Sequence, residues 1–379
     1  MKTAILTAAL ALCATMTATA QENEPRFSIA PTGRILIDGA LFCSPQKESF
    51  ADGAAIPEVR VGAKMSYGQW DALVDIGFAY NKVGMRDVYV RYNFNDSQLL
   101  QIGSFVHQYG LQSATSSSMK VCMEEPVSNA VFEEDFRLGA MYEYADNRWL
   151  ATASVHFDAN ATTTVLLTPD HYTREAYGFC SRLVAHPICE PGKVVQVGIS
   201  GGYATPANRE DKTFDFEANF PTRVVRVQAL NAVVDKAHNL WKFTPELLLS
   251  YGPVALEAQY YYQRVNRFDG RSPFTSQGAY ALCRGLLTGG SYGYALKPGA
   301  LATPKKGSLE AVMMYSYTNL TDVSAGVWGG RANDLSFTLN YYINRYVIAR
   351  LHYGYTHVWD NAAGRRDMNG FMARLQVIF

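Results

Sequence analysis

The feature that most restricts this chain is an alternation of apolar and polar residues, repeated in runs of about ten. From Glu58 to Tyr67 the apolar positions are Val59, Val61, Ala63, Met65 and Tyr67, and the residues between them are polar or Gly. Val88, Val90, Tyr92 and Phe94 alternate with Asp87, Tyr89, Arg91 and Asn93. Val254, Leu256, Ala258, Tyr260 and Tyr262 repeat the pattern, as do Leu335, Phe337, Leu339 and Tyr341, and then Phe371, Ala373, Leu375, Val377 and Phe379. Successive side chains of a strand point to opposite faces, so each run has one apolar face and one polar face. No run of about 18 apolar residues occurs, so no helix of this chain is expected to span a bilayer.

Soluble antiparallel sheets alternate in the same way. Three features point instead to a transmembrane β-barrel. The strands are long enough to cross a bilayer when tilted. Tyr, Phe and Trp crowd their ends, where an interfacial girdle would lie. The last strand runs through to Phe379. A spanning sheet must close on itself, because lipid offers its backbone no hydrogen-bond partner. Composition agrees: 18% of residues are charged against about 25% in an average soluble domain. Such a chain is too apolar to be disordered. Its net charge of zero, without a Lys/Arg block, excludes a nucleic-acid binder that works through a basic face.

Two segments follow from the N-terminal pattern. Lys2, the apolar stretch Ala4–Leu12 and the Ala18-Thr19-Ala20 site read as a cleaved secretory leader over residues 1–20. Residues 21–379 then form a single barrel domain. Short turns are expected at Gly68-Gln69, Asn95-Asp96-Ser97, 145–148, Gly252-Pro253 and Ile343-Asn344-Arg345. Long connections alternate with them at 43–57, 107–135, 158–176, 204–240, 265–276, 318–334 and 358–368. Short turns on one side and long loops on the other are the pattern of an outer-membrane barrel, and the tally is sixteen strands. Two stretches fit poorly. Residues 288–307 occupy a short-turn position with about twenty residues, and 222–230 reads as a strand inside a loop, so the count could differ by two.

Several motifs suggest chemistry that their context denies. Gly198-Ile-Ser200-Gly-Gly202 matches the G-x-S-x-G nucleophile elbow, but it lies in an alternating strand instead of a strand-to-helix turn. Ser117-Ser-Met-Lys120 matches S-x-x-K without its companion motifs. Gly289, Gly290 and Gly293 are too loosely spaced for a phosphate loop. His352 and His357 read as wall and loop residues, not ligands. Cys43, Cys122, Cys180, Cys189 and Cys283 form no C-x-x-C pair, so no metal or cofactor is expected. Cys180 and Cys189 would lie too far apart along a strand to bridge. Cys43 and Cys122 both fall in long loops and could bridge.

Parity places the lumen charges. The inward bases are Arg60 and Lys64 on the second strand, Arg91 on the fourth, Arg137 on the sixth, Arg182 on the eighth, Arg350 on the fifteenth and Arg374 on the sixteenth. The inward acids are Asp75 and Asp87 on strands three and four, with Glu246, Glu257 and Glu310 on strands ten, eleven and thirteen. Arg350, Arg374, Arg60 and Lys64 would share one wall, opposite an acidic wall of Glu246, Glu257 and Glu310. The connection 107–135 carries Glu124, Glu125, Glu133, Glu134 and Asp135 against Lys120. Folded inward, it would form a constriction. A transverse field across a wet pore would orient small polar or anionic solutes; the alternative is that the inward charges only keep the lumen hydrated and pair with each other.

The residues from Arg60 to Gly139 resemble the phosphate-selective porin O and P family. The resemblance rests on Gly103-Ser-Phe105, Tyr109-Gly-Leu-Gln112, Thr115-Ser-Ser117, Met123-Glu124 and Arg137-Leu-Gly139. Glu246–Arg264, Leu287-Thr-Gly289 and Leu339–Asn344 extend it. It implies a sixteen-stranded outer-membrane porin, a homotrimer, passing anions such as phosphate by diffusion past inward Arg and Lys. Arg60 and Arg137 fall where the family motif tends to carry Arg. Met123-Glu124-Glu125 departs from it, with an acid where the family has a base. The expected partners are outer-membrane lipid and small anionic or polar solutes, and the expected location is the outer membrane of a Gram-negative bacterium, reached through the periplasm. A barrel serving as an adhesin or structural protein, or as a hydrolase, would share this fold, but nothing singles out a Ser/His pair.

Overall fold

The computed structural model describes residues 25–45, 48–79, 82–133, 136–157, 176–206, 212–361 and 364–379. The candidate leader over residues 1–20 and the loop residue Glu134 lie outside them. The alternating runs become twenty strands. They are β1 (Ser28–Phe42), β2 (Gly53–Tyr67), β3 (Trp70–Ala79), β4 (Lys82–Asn95), β5 (Gln98–Val106), β6 (Phe136–Ala145), β7 (Trp149–Phe157), β8 (Tyr177–Glu190), β9 (Lys193–Ala204) and β10 (Phe214–Asn219). Then follow β11 (Gln228–Val234), β12 (Ala237–Tyr251), β13 (Val254–Arg267), β14 (Phe274–Leu286), β15 (Tyr294–Ala295), β16 (Ala300–Leu301), β17 (Leu309–Asp322), β18 (Val327–Tyr342), β19 (Val347–Asn361) and β20 (Arg366–Ile378). Two short helices, α1 (Leu111–Ala114) and α2 (Val127–Phe132), lie between β5 and β6.

Sixteen strands close into one antiparallel barrel, with β10–β11 and β15–β16 as separate two-stranded pieces. Closure is made by β20 pairing with β1, from Arg34 opposite Ile378 to Phe42 opposite Gly370. Gly33 and Phe379 add two backbone hydrogen bonds of 2.8 and 3.0 Å below this ladder. No strand of the barrel is left with an unpaired edge, as lipid requires. Val61, Ile102, Val155, Leu183, Ile199, Leu351 and Phe371 are exposed on the outer face, while Gln196, Thr244, Ser316 and Thr356 are buried inside. Aromatic girdles flank the apolar band. Trp70 packs on Tyr92 with ring centres 4.7 Å apart at the short-turn end, and Tyr203 packs on Trp241 at 4.8 Å at the other.

Each inward charge lies on the strand that parity assigned, with β12, β13 and β17 as barrel strands ten, eleven and thirteen. The loops differ more from expectation. β17 and β18 are joined by 323–326 instead of 318–334, and β13 and β14 by 268–273 instead of 265–276. These strands continue past the apolar band, where polar cross-strand pairs replace the alternation. Arg331, for example, donates to Asn319 across the β17–β18 pair at 3.2 Å. The strand-like stretch near 222–230 is partly β11, which pairs with β10 and adds nothing to the barrel. Residues 288–307 are not a surface turn, because they fold up into the lumen. Cys43 is exposed and Cys122 buried with no disulfide between them, and Cys180 and Cys189 share β8.

Gly103 shows how tightly the β4–β5 register is set. Its φ is +145°, and a Cβ there would lie against the Val88 carbonyl oxygen and 2.6 Å from the Tyr89 Cα. Gly252 also has positive φ, at +56°, but faces open space. Gly103→Ala should therefore destabilise the barrel by about 3 kcal/mol, from strain and overpacking, and Gly252→Ala by about 1 kcal/mol. Urea unfolding in lipid vesicles measures both.

Candidate functional site

The site is the lumen, and three chain segments fold into it. The first is the 107–133 loop with α1 and α2. The second is the β10–β11 hairpin. The third is the 287–308 connection from the short-turn end.

Lumen side chains hold the 107–133 loop along its length. The Gly110 N–H donates to Ser200 Oγ at 3.0 Å, and the Gln112 N–H to Gln259 Oε1 at 3.0 Å. Lys242 Nζ donates to the Phe132 carbonyl at 2.8 Å, and Tyr261 Oη to Asn129 Oδ1 at 2.9 Å. On the far wall Asn340 donates to the Val121 carbonyl at 2.8 Å, and Arg350 to the Cys122 carbonyl at 3.1 Å. Arg374 donates to the Met123 carbonyl at 2.5 Å and to Glu124 Oε1 at 2.8 Å, while holding Asp38 at 2.6 Å. The loop thus runs from the β8–β9 wall across to β20. Glu124 meets the basic wall directly instead of facing it across the pore. Glu125 pairs with Lys120 at 2.6 Å.

The 287–308 connection covers the lumen from below. Tyr292 Oη donates to Glu310 at 2.8 Å, and Tyr294 Oη to Gln196 at 2.6 Å. Tyr292, Ala300 and Leu301 share a buried apolar cluster with Val194, Leu248 and Leu286 of the barrel and with Leu111 of α1. Segments from the two mouths of the barrel therefore touch inside it. Arg182 ties them together. It grips Glu246 at 2.6 and 2.9 Å and donates to Gln108 Oε1 at 3.3 Å and to the Pro298 carbonyl at 2.8 Å.

The filling is one-sided. Inward residues such as Leu150, Arg182, Gln196, Thr244, Glu310, Arg350 and Arg374 are buried. On β2–β6 the bases are on the whole more open than the acids, though the Arg60 side chain is as enclosed as Glu58 and Asp75 beside it. Arg86, Arg91 and Arg137 are half-buried and Lys64 is exposed, whereas Glu58, Asp75 and Glu143 are buried. Asp71 and Asp87 keep partial exposure. The more open side of the lumen is therefore the one bounded by β2 and β6, with its solvent contact concentrated on β2–β4 and at Arg137, while Leu99, Gln101, Phe105 and Met141 on β5 and β6 are buried. Along it Arg60 lies 2.6 Å from Glu58, 3.5 Å from Asp75 and 3.9 Å from Asp87. Arg223, from the segment between β10 and β11, reaches Glu58 at 3.3 Å and Glu124 at 3.4 Å. Arg60 and Arg86 both sit over the Phe136 ring, at 5.8 and 5.6 Å. Further out, a cavity of about 520 Å³ is lined by residues that include Glu133, Arg137, His156, Asp215, Glu217 and Lys242.

Of the bases read from the sequence, the structure brings Arg60, Lys64, Arg91 and Arg137 to the lane. Arg182, Arg350 and Arg374 are buried as anchors of the inward segments. Of the acids, Glu246 pairs with Arg182, and Glu257 and Glu310 lie 3.6 and 3.8 Å from Arg284. Arg34, Asp38, Arg86, Lys242 and Arg284 escaped the sequence reading. Arg86 sits beside a register shift between β3 and β4 that breaks the alternation. Arg34 and Asp38 flank the unbroken apolar run Ile35-Leu36-Ile37. Arg284 follows small outward residues, Ala279, Ala281 and Cys283, that give little contrast. The Ser200 hydroxyl of the G-x-S-x-G match accepts the Gly110 N–H in mid-strand, and His352 and His357 are both on β19. Among the described residues no cluster of His, Cys, Asp and Glu could hold a metal ion.

The family model for phosphate-selective porin O and P matches residues 53–379. The chain belongs to this family of outer-membrane channels. No curated protein matches its sequence. Solved structures share the fold at low identity. OmpT of Vibrio cholerae, in its trimer form, gives a TM-score of 0.59 at 10% identity, over 93% of this chain and 99% of OmpT. An anion-selective porin from Comamonas acidovorans gives 0.58 at 10% identity, over 93% and 100%. The channel DcaP of Acinetobacter baumannii gives 0.57 at 10% identity, over 96% and 100%. All three are outer-membrane proteins or porins, and at these identities they establish the barrel architecture alone.

Two predictions concern the porin's inward loop. Arg374→Met leaves Asp38 buried without its partner and Glu124 with Arg223 alone, a loss of about 3–5 kcal/mol for a buried pair. The loop should lose its hold on β20, and open-channel current noise in a planar bilayer should rise. Burial pushes the Glu133 carboxyl up to about 8. It is neutral below that pH and ionises above it, adding a negative charge to the cavity. The ratio of anion to cation permeability should fall as pH rises from 6 to 9, and this fall should be absent in Glu133→Gln.

Proposed function

We propose that this porin is a passive diffusion channel for small anions, phosphate among them, that travel along the β2–β6 lane. The observation that carries this reading is the sorting of charge by burial. Lys64, Arg86, Arg91 and Arg137 keep more contact with solvent than Glu58, Asp75 and Glu143, while Arg60 is as enclosed as Glu58 and Asp75 beside it. A charge beside a narrow aqueous lane with low-dielectric walls raises the local concentration of its counter-ion. A buried carboxylate bonded to its neighbours contributes less to that field. Glu58, for instance, is engaged by Arg34, Arg60 and Arg223. Asp71 accepts hydrogen bonds from Ser66 at 2.8 Å and Asn93 at 2.9 Å, which ties down one of the two acids that remain partly exposed.

Residues 1–20 are removed during export to the periplasm, and three barrels assemble as a trimer in the outer membrane. The alternation of Lys2, an apolar stretch and a small-residue site supports the first. The trimeric form of OmpT, which has the same fold, supports the second.

Reversal potentials across a planar bilayer test the ion preference, with chloride and then phosphate as the anion in a salt gradient. The expected result is a several-fold preference for anions in both salts. Replacing Lys64 and Arg91 together by Gln should remove most of it. A cation preference, or a preference indifferent to that replacement, would contradict the reading.

A further inference from the structure

On the outer face of β12–β14 and β17–β19 the outward residues change character at one level. From the short turns up to it they are apolar, aromatic or Gly. At it stand Asn239 on β12, Arg264 on β13, Gln277 on β14, Asn319 on β17, Asn333 on β18 and His357 on β19. Those six strands are barrel neighbours, so the polar residues form a continuous belt. Trp241 lies opposite Arg264, Arg264 opposite Thr275, Gln277 opposite Asn319, and Asn319 opposite Arg331. Tyrosine hydroxyls mark the boundary from below. Tyr260 donates to Gln277 Oε1 and Tyr315 to Asn333 Oδ1, both at 2.9 Å. A phenol with its ring in hydrocarbon and its hydroxyl in a polar layer sits at the membrane interface. The belt therefore lies at headgroup height on the long-loop side. It is not general to the barrel. On β7 and β8, exposed Phe157 and Tyr177 carry the apolar face to the same end of the strands.

The belt presents hydrogen-bond donors. The side-chain carbonyls of Gln277 and Asn333 are taken by those tyrosines, and that of Asn319 by Arg331 Nε at 3.2 Å. Their side-chain N–H groups have no acceptor among the described residues. Arg264 is exposed and uses its Nε on Asn266 Oδ1 at 3.1 Å, and Asn266 in turn donates to Asn239 Oδ1 at 2.7 Å. Among the described residues no carboxylate stands within ion-pair distance of Arg264, whereas Arg331 pairs with Asp360 at 3.4 Å and Arg271 with Asp235 at 2.8 Å. A guanidinium without a counter-charge, beside amide donors at headgroup height, suits a ligand that brings phosphate and many further oxygens. The guanidinium fork matches phosphate with two parallel hydrogen bonds. The outer leaflet of a Gram-negative outer membrane offers this chemistry as phosphorylated glycolipid. We propose that this face is a docking surface for that glycolipid. Arg264 takes a phosphate, and Gln277, Asn319 and Asn333 donate to sugar oxygens. The surface lies outside the lumen and is independent of what passes through it.

The test titrates the complete barrel in detergent micelles with lipid A, an acylated glucosamine disaccharide carrying two phosphates, and follows binding by native mass spectrometry. A gel-mobility shift on heating verifies that each variant has folded. Arg264→Gln should bind lipid A about tenfold more weakly than the wild type. Arg264→Lys keeps the charge but loses the fork, and should fall between the two. The double variant Gln277→Ala, Asn333→Ala should also bind more weakly, and it takes the place of Arg264→Gln should that chain fail to fold. Phosphatidylglycerol or inorganic phosphate, at the same concentration as lipid A, should displace little of it. No binding by the wild type, or equal binding by the wild type and the folded variants, overturns the proposal. Displacement by phosphatidylglycerol makes the face a general anionic-lipid surface, displacement by inorganic phosphate assigns it to a free anion, and either overturns the glycolipid assignment. Cross-linking between barrels that carry Arg264→Cys, with the native cysteines changed to Ser, would place a second copy of the chain on this face and overturn it as well.

Discussion

The interior of this barrel is organised around one buried guanidinium. Arg182 is withdrawn from water, and a buried charge survives only when it is paired and its donors are satisfied. Glu246 supplies the opposite charge, while Gln108 and Pro298 supply acceptors from two segments that enter from opposite mouths. Meeting those requirements fixes where both segments cross the lumen. The apolar cluster joining Leu111 to Tyr292 and Leu301 lies beside it and closes the remaining space. A sixteen-stranded barrel would otherwise enclose a wide aqueous channel. Here packing converts part of that section into a small protein core.

This one-sided packing gives the net charge of zero its physical content. Bases and acids are balanced over the chain, but not over the water-contacting surface of β2–β6. Enclosed acids such as Glu58, Asp75 and Glu143 are counted in the total, whereas Lys64, Arg86, Arg91 and Arg137 keep more contact with the lane. Two opposed walls of charge would put their field across the middle of the pore. Local pairs such as Arg182–Glu246 and Arg374–Asp38 instead neutralise most of the packed side, so the remaining field belongs to the lane.

The barrel was legible because period two is a backbone property. Residues such as Val59, Val61 and Ala63 declare their face without reference to any distant partner, and so Glu246, Glu257 and Glu310 could be assigned to strands ten, eleven and thirteen. Strand ends were less legible. Near Asn319 and Arg331 the strands rise beyond the apolar band, and polar pairs carry the ladder with no alternation to announce it. The roles of the lumen charges were not legible at all. Arg350 and Arg60 both read as inward bases, yet one binds the Cys122 carbonyl and the other lines the lane. That distinction depends on where the 107–133 and 287–308 segments land, and no local spacing encodes it. The excess length of residues 288–307 was the one visible sign that the short-turn end carried something more than a turn.

On this reading solutes pass beside β2–β6 and not through the rest of the section. Single cysteines, placed in a background whose native cysteines are changed to Ser, test it most directly. A small charged thiol reagent is added while current is recorded across a bilayer. Cysteine at Lys64 or Arg91 should react within the open channel and change its current, while cysteine at Thr244 or Thr318, both fully buried on the packed side, should not react. Equal reaction at all four positions, or reaction at Thr244 and Thr318 alone, would contradict it.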